Sequence, residues 1–388
     1  MPDPTSAPVA VAATQRVASW LTHMGVSQHA FDDTLGLISP LWTVHRLHAK
    51  VVDKIQETPS AVTLVLQAGA AFRGLVPGQF VIIGVVINGV RHRRAYSPRA
   101  IDGRTDRFAI TVQRQLGGKV SNHVHDHLRG GDIIEIEPAA GDFVLPAATP
   151  PDLLLIAGGS GITPCMSMLE HLRRSGAATR VTLIYFARSH RDRIFAKRLE
   201  TLAAEWPQLR YMPLDSMANT PVSGTPAPVP GTAGPEQTTL TTDLLAQVSA
   251  NWHMLPAYCC GPAPLMDAAR QLWKDANAAS RLKLEAFAPG KPSGDPNVRH
   301  HVRLVMRDQQ QPVAFDAPGS ETILVAGEQS GHQIKHGCRQ GICHECVCRL
   351  NSGVIRDLTT GEQIDGEGQA VRLCVSAALS DLQLEALG

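Results

Sequence analysis

The spacing of apolar positions changes character along this chain. Between residues 47 and 148 the apolar residues come in short runs or alternate with polar ones, at 61–66, 79–83, 108–113 and 133–136, with glycine and proline between the runs. Short alternating segments bounded by turn formers predict a β-rich domain. From 149 to 288 the pattern becomes strand and helix in alternation. Residues 153–157 (Leu-Leu-Leu-Ile-Ala) and 181–187 read as buried strands, and residues 165–174 place apolar side chains at 165, 166, 168, 169 and 172, one face of a helix. That order predicts a parallel α/β sheet. Two flanking segments read differently. Residues 1–46 form an extension in which Val17, Trp20, Leu21 and Met24 fall at helical spacing, predicting a short amphipathic helix packed on its own protein. Residues 289–297 (Pro-Gly-Lys-Pro-Ser-Gly-Asp-Pro-Asn) have linker composition, leaving 298–388 as a third domain. Residues 219–238, rich in Pro, Thr, Gly and Ala, read as a flexible surface insertion within the α/β segment.

Composition narrows the class without naming a chemistry. A length of 388 residues implies two or three domains, and a hydrophobic share of 44% sustains ordinary cores. Basic and acidic residues number 36 and 35, a net charge of +1, so nucleic acid is not an expected partner. Residues 1–16 lack the apolar core of a signal peptide, and no run of 18 apolar residues occurs. The expectation is a cytoplasmic protein with no transmembrane segment.

The eight cysteines carry more information. Cys338, Cys343 and Cys346 have the spacing C-x4-C-x2-C, and Cys374 follows downstream in Arg-Leu-Cys-Val. Thiolates suit iron–sulfur clusters, and this spacing is that of plant-type [2Fe–2S] ferredoxins. A close trio can wrap one loop around a cluster while the distant cysteine arrives from another element. His332, His336 and His344 lie nearby, but the paired Cys-x-His needed for a two-histidine centre is absent. Cys165, Cys259, Cys260 and Cys348 read as reduced thiols, with Cys348 a buried strand residue on the same side as Cys346.

Four further motifs lie upstream. Arg94-Ala95-Tyr96-Ser97 follows the strand-like run 89–93. An arginine fork matches a phosphate bidentately, a tyrosine ring offers a flat face, and a serine hydroxyl donates a hydrogen bond. Alone, such a cluster is ordinary surface. Gly117-Gly118-Lys119-Val120-Ser121 combines a Gly-Gly turn with a serine near a helix start, where amides can meet phosphate. Gly158-Gly159-Ser160-Gly161-Ile162-Thr163-Pro164 directly follows the strand at 153–157. Thr163 is expected as the N-cap and Pro164 as the first helical residue, with amides aimed at an anion. Cys260-Gly261-Pro262 follows the strand-like residues 257–259. At the end of the second α/β strand, Arg188 and Ser189 sit where an adenosine ribose is read, with Arg193 able to assist. An arginine there suits a 2′-phosphate, which favours NADPH over the alternative NADH.

Together these motifs resemble the ferredoxin–NADP reductase superfamily fused to a C-terminal plant-type ferredoxin, in the order of phthalate dioxygenase reductase-like proteins. The resemblance covers residues 47–388. It implies an antiparallel β-barrel flavin-binding domain (47–148), an α/β parallel-sheet nicotinamide nucleotide-binding domain (149–288) and an α+β β-grasp ferredoxin domain (298–388). It implies that Arg94, Tyr96, Ser97, Gly118, Lys119, Val120 and Ser121 hold a flavin. Gly158, Gly159, Gly161, Thr163, Pro164, Arg188, Ser189, Cys260, Gly261 and Pro262 would hold the nucleotide. Cys338, Cys343, Cys346 and Cys374 would ligate the cluster. Ser97, Thr163 and Cys260 then surround hydride transfer, with Cys260 shaping the site and forming no covalent bond. Residues 38–42 (Ile-Ser-Pro-Leu-Trp) resemble the lead-in segment of reductases that serve membrane fatty-acid desaturases. This points to FAD, with FMN as the alternative. Two departures stand out: the insertion at 219–238, and His344 and Glu345 in the cluster loop where small residues are usual.

The implied activity is NAD(P)H-dependent electron transfer through FAD and a [2Fe–2S] cluster to a terminal oxygenase, first a fatty-acid desaturase. The alternatives are the reductase component of a ring-hydroxylating dioxygenase, the reductase of a cytochrome P450 system, or a redox-sensing regulatory subunit.

Overall fold

The computed structural model describes residues 32, 35–43, 46–101, 103–216, 239–287, 290, 292–306 and 311–387. The expected helix around Val17–Met24 and the insertion at 219–238 lie outside the described residues. The chain divides into two compact units, Met1–Glu285 and Ala286–Gly388.

The first unit begins with a seven-stranded antiparallel sheet. Its strands are β1 (His48–Thr58), β2 (Ala61–Ala68), β3 (Val81–Ile87), β4 (Val90–Tyr96), β5 (Pro98–Ala100), β6 (Arg107–Gln113) and β7 (Ile133–Ile136). They pair in the order β4-β3-β7-β1-β2-β6-β5 and curl into a barrel. Val62, Leu64 and Leu66 of β2, Val81, Ile83 and Val85 of β3, and Phe108, Ile110 and Val112 of β6 fill its interior. Each such side chain stabilises the fold by roughly 1.5–3 kcal/mol relative to exposure. The 11-residue β1 escaped the sequence reading because charged and polar residues interrupt its apolar ones without regular alternation: only Ala49, Val51 and Thr58 are buried. Two register shifts, at Val51/Asp53 and Gln56/Thr58, break its alternation. The expected strand at 79–83 starts two residues later and runs on to Ile87 in a hairpin with β4.

One helix, α1 (Lys119–Asp126), lies against β3, β4 and β6. Its C-terminal end is fixed from a distance. Lys54 on β1 donates to the carbonyls of Val124, His125 and Leu128 at 2.8, 2.7 and 3.1 Å. An ammonium there satisfies orphan carbonyls and opposes the negative end of the helix dipole.

The second half of this unit is a five-stranded, all-parallel sheet of order β10-β9-β8-β11-β12. Its elements run β8 (Asp152–Gly158), α2 (Ile162–Arg174), β9 (Arg180–Ala187), α3 (Ala196–Glu205), β10 (Leu209–Asp215), α4 (Thr242–Val248), β11 (Ala257–Cys260), α5 (Ala263–Asp275) and β12 (Leu282–Glu285). The chain leaves central β8 toward β10, then returns to add β11 and β12 on the other side. The strand order therefore reverses between β8 and β11, which opens a crevice at their C-terminal ends. Among the described residues no helix is long and apolar enough to cross a membrane.

The second unit has a five-stranded mixed sheet of order β14-β13-β20-β15-β18. The strands are β13 (Arg299–Val305), β14 (Val313–Pro318), β15 (Val347–Ser352), β18 (Gln369–Arg372) and β20 (Leu382–Ala386). Helix α6 (Ile323–Gln329) packs on this sheet, capped by the Thr322 hydroxyl accepting from the Val325 amide. A small sheet of β16 (Ile355–Asp357), β17 (Gln363–Ile364) and β19 (Ser376–Ala378) completes the β-grasp. Cys348 lies on β15, buried in the same core as Cys346, as expected.

Candidate functional site

At the barrel, register places the Arg94–Ser97 motif. Arg94 pairs with Ile83 and Tyr96 with Val81, so both share the side of β4 on which the interior row of β3 lies. Arg91 and Arg93 occupy the opposite face and pair with Glu135 on β7 and Glu137 just after it. Burial pushes the Tyr96 phenol above its ordinary range, against the pull of the Arg94 charge, so the ring stays neutral. Ser97 is buried and its hydroxyl has no hydrogen-bond partner. A buried hydroxyl left without a partner is uncommon, and it leaves Ser97 able to bond a group from outside the chain.

The Gly117–Ser121 motif opens α1. Gly118 is the N-cap, Lys119 is exposed, and Val120 and Ser121 are buried. The Ser121 hydroxyl accepts from the Gln115 amide at 3.2 Å, which closes the turn. A Cβ on Gly118 would lie 2.4 Å from that hydroxyl oxygen, so a larger residue there would have to displace the Ser121 side chain.

The structure brings the two nucleotide motifs together. Ala157 on β8 pairs with Cys260 on β11, so the Gly158–Pro164 turn and the Cys260–Pro262 turn leave adjacent strand ends. A Cβ at Gly161 would lie 2.0 Å from the Cys260 carbonyl oxygen, and one at Gly158 would lie 2.6 Å from Pro262 Cδ. Gly261 approaches the Gly158 backbone in return. Two of the three glycines in the turn are thus required by this contact, while Gly159 supplies a left-handed φ of +54°. The helix start differs from expectation. A 3-10 turn, Gly159–Gly161, leads straight into α2, so Gly161 is the N-cap and Ile162 the first helical residue. Thr163 lies inside the first turn, where its hydroxyl donates to the Ser160 carbonyl at 3.0 Å. Gly161 already has helical dihedrals, so winding begins before Thr163 can cap, and Pro164 costs nothing because amides there are unpaired in any helix. Burial pushes the Cys260 thiol far above its ordinary range, which keeps it neutral.

At the end of β9, Arg188 is exposed and reaches Asp192 at 3.3 Å, and the Ser189 hydroxyl donates to Asp192 at 2.8 Å. Arg193 pairs with Asp215 at 2.6 Å, and its Nε is buried without a partner. The strand end therefore holds two arginines and two carboxylates.

Two residues here were not found in the sequence. Tyr185 on β9 donates to the Gly159 carbonyl at 3.1 Å and accepts from the Ile194 amide at 3.0 Å, tethering the glycine turn. A hydroxyl-bearing ring in an otherwise largely apolar buried run was the available signal. Glu285 ends β12 in register with Cys260, its Oε2 buried without a partner. Burial raises its carboxyl to about 8. Nothing in its local sequence marks it, because β12 is a short strand of mixed polarity.

In the second unit, Cys338, Cys346 and Cys374 are buried and Cys343 is half-buried. The thiols form two close pairs. Cys338 faces Cys343, which with the backbone amides of Gln340, Ile342 and Cys343 brings Cys338 down to about 6 while Cys343 rises. Cys346 faces Cys374 and is brought down to about 7, while Cys374 rises. Amides of Gln340 and Cys343 point at the Cys338 sulfur at 3.3 and 3.4 Å. Among the described residues no three ligating side chains converge on a single ion. The four thiols are a soft donor set that would suit a [2Fe–2S] cluster. The loop is held by two arginines. Arg339 forks onto Glu328 of α6. Arg372 donates to the Gly341 carbonyl at 2.7 Å and to Asp357 at 2.8 Å. Arg339 and His344 both adopt left-handed φ of +58°, so the unusual histidine stands where glycine is easiest.

Comparison with known proteins finds three matching domain families along the chain. Residues 48–145 match an oxidoreductase FAD-binding domain, 155–271 an oxidoreductase NAD-binding domain, and 306–379 a 2Fe-2S iron-sulfur cluster binding domain. An NADPH oxidoreductase of Mycobacterium tuberculosis (strain ATCC 25618 / H37Rv) is 33% identical over 360 residues, covering 91% of this chain and 88% of the relative. The chain belongs to the ferredoxin reductase-type flavin reductases with a C-terminal 2Fe-2S domain. The reductase is also 27% identical over 351 residues to the glycine betaine monooxygenase reductase subunit of Pseudomonas aeruginosa (strain UCBPP-PA14), covering 86% and 93% of the two chains. Its fold matches a solved phthalate dioxygenase reductase with a TM-score of 0.60 at 24% identity, covering 88% of this chain and 98% of that one. The reductase is an NAD(P)H-dependent oxidoreductase whose cofactors are FAD, a pyridine nucleotide and a [2Fe–2S] cluster.

Proposed function

We propose that the reductase takes hydride from NADPH and delivers electrons singly to a membrane fatty-acid desaturase. When bound, FAD supplies acceptance of a hydride and release of single electrons, and the cluster supplies one-electron carriage. The chain's own residues do the positioning. Arg94 and the amides at Lys119, Val120 and Ser121 hold flavin phosphate, with Gly118 leaving them room. Tyr96 offers its ring face, and Ser97 gives its unpartnered hydroxyl to the flavin edge. Gly158, Gly159, Gly161, Thr163 and Pro164 form the anion-facing turn for the nucleotide. Cys260, Gly261 and Pro262 wall the nicotinamide from water, and Arg188 and Ser189 meet the adenosine end. Cys338 and Cys343 take one iron, Cys346 and Cys374 the other. The unpartnered Ser97 hydroxyl is the observation that carries the hydride reading. Ser97→Ala is expected to slow anaerobic flavin bleaching by NADPH about tenfold in stopped flow, the loss of one hydrogen bond; an unchanged rate removes Ser97 from the site.

The desaturase assignment draws support from the lead-in segment. Pro40–Trp42 forms a 3-10 turn docked through the Leu41 carbonyl, which accepts from the Ala70 amide. Leu37, Ile38 and Trp42 are all largely exposed, an apolar surface suited to a membrane-embedded partner. All eight cysteines are free, which fits a reducing cytoplasm. A soluble oxygenase is the second reading, favoured by the monooxygenase reductase components among the relatives. Reconstitution decides between them: NADPH-driven fatty-acyl desaturation with a membrane desaturase supports the first, and coupling only to a soluble oxygenase overturns it. NADPH as the donor is tested by kcat/KM, where Asp192 and Asp215 oppose the arginines; an equal or higher value for NADH refutes it.

A further inference from the structure

A second basic pocket lies away from every motif described above. It is a cavity of about 370 Å³ lined by Arg99, Ala100, Ile101, Glu170, Arg173, Arg174 and Arg198. The residues come from three elements: the β5 edge of the barrel, the later turns of α2, and the first turn of α3. Arg173 is matched by Glu205 at 2.6 Å. Of the residues lining the cavity, Glu170 alone sets a carboxylate beside the other three guanidinium groups. Arg99 and Arg198 reach that carboxylate only at 3.4 and 3.3 Å, and Arg174 bonds the Glu170 backbone carbonyl at 3.2 Å. Three positive charges against one leave a surplus of two. Arg99 is also pre-positioned. Its guanidinium lies 5.5 Å over the ring of Phe195, a residue held at a left-handed φ of +62°, and its Nε is buried without a partner. Basic residues in the last turn of α2 would occur for the helix dipole alone. That does not explain an arginine from the barrel set against them with an unpartnered Nε.

We propose that this pocket binds a phosphate monoester as a dianion. Two net charges match its charge, planar guanidinium forks match its oxygens bidentately, and the volume exceeds what a bare phosphate fills, leaving room for an organic body. Occupation would act on the hydride site without touching it. Arg99 is two residues from Ser97, and α2 begins at the glycine turn, so an anion gripped by both ties the barrel to the nucleotide sheet at their contact.

The test uses the holoprotein with inorganic phosphate as probe, in calorimetric titration against chloride at matched ionic strength. Saturable binding is expected in the wild type. Arg174→Gln and Arg198→Gln should each weaken it about tenfold, one charge-assisted hydrogen bond apiece. Arg188→Gln, at the nucleotide end, should leave it unchanged. Glu170→Gln removes the competing carboxylate and should tighten it severalfold, an outcome that no loss of folding can imitate. Binding that survives in Arg174→Gln and Arg198→Gln but fails in Arg188→Gln assigns the phosphate to the nucleotide site and overturns the proposal. Wild-type binding no stronger than chloride overturns it as well.

Discussion

Glu285 offers the sharpest physical test of the packing at the strand ends beside Cys260. Its carboxyl ends β12 beside Cys260, with one oxygen buried and unpartnered. Burial raises it from an ordinary 4.5 to about 8. Between those two values the unfolded chain releases the proton and the folded chain keeps it. Stability is therefore fully present below about pH 4.5 and is lost as pH rises toward 8. About 3.5 pH units at about 1.36 kcal/mol each give a ceiling of about 5 kcal/mol. Half of that, about 2.5 kcal/mol, shifts the melting midpoint by roughly 5–10 °C in a unit of this size. Glu285→Gln keeps the shape and removes the titration. Calorimetry of wild type and variant from pH 5.5 to 8.5 should show the wild type losing ground to Glu285→Gln steadily as pH rises. Parallel melting curves across that range would refute the claim that the carboxyl is buried and uncompensated.

Three further outcomes follow from the packing. Gly161→Ala pushes a methyl into the Cys260 carbonyl and should cost about 2–3 kcal/mol, with loss of NADPH-dependent ferricyanide reduction, read by melting and steady-state turnover. Arg372→Ala leaves Asp357 without its cation and frees the Gly341 carbonyl; it should destabilise the second unit by about 2–3 kcal/mol and speed loss of visible cluster absorbance on heating, while ferricyanide reduction persists. Lys54→Met unpins the end of α1 and should cost about 2–3 kcal/mol, seen as faster amide exchange across α1 and easier loss of FAD on dilution.

The three fold classes were legible because each rests on a local pattern. The Gly158–Pro164 turn sits between a buried strand and a helix, and the cysteine spacing needs no long-range information. The missed features depend on what other parts of the chain do. β1 looks like surface because its neighbours, not its own residues, supply most of the barrel's apolar interior. Thr163 looks like a cap because a 3-10 lead-in cannot be read from three glycines. Tyr185 and Glu285 matter through what neighbouring strand ends bring to them, Gly159 in the turn after β8 and Cys260 on β11, and only the order of the parallel sheet puts them there. The glycine turn reads from sequence as an anion-facing turn, whereas the contact with the Cys260–Pro262 turn already requires the glycines at 158 and 161.

That interlock sets a rule for anyone transplanting coenzyme preference between such reductases. The glycine turn after β8 and the Cys-Gly-Pro turn after β11 are shaped to each other atom by atom, with a carbonyl filling the only space a side chain could take. A graft of one turn alone would carry a mismatch into its new host, whatever its affinity for the dinucleotide. The smallest exchangeable part is the pair, moved together with the two strand ends that hold them in register.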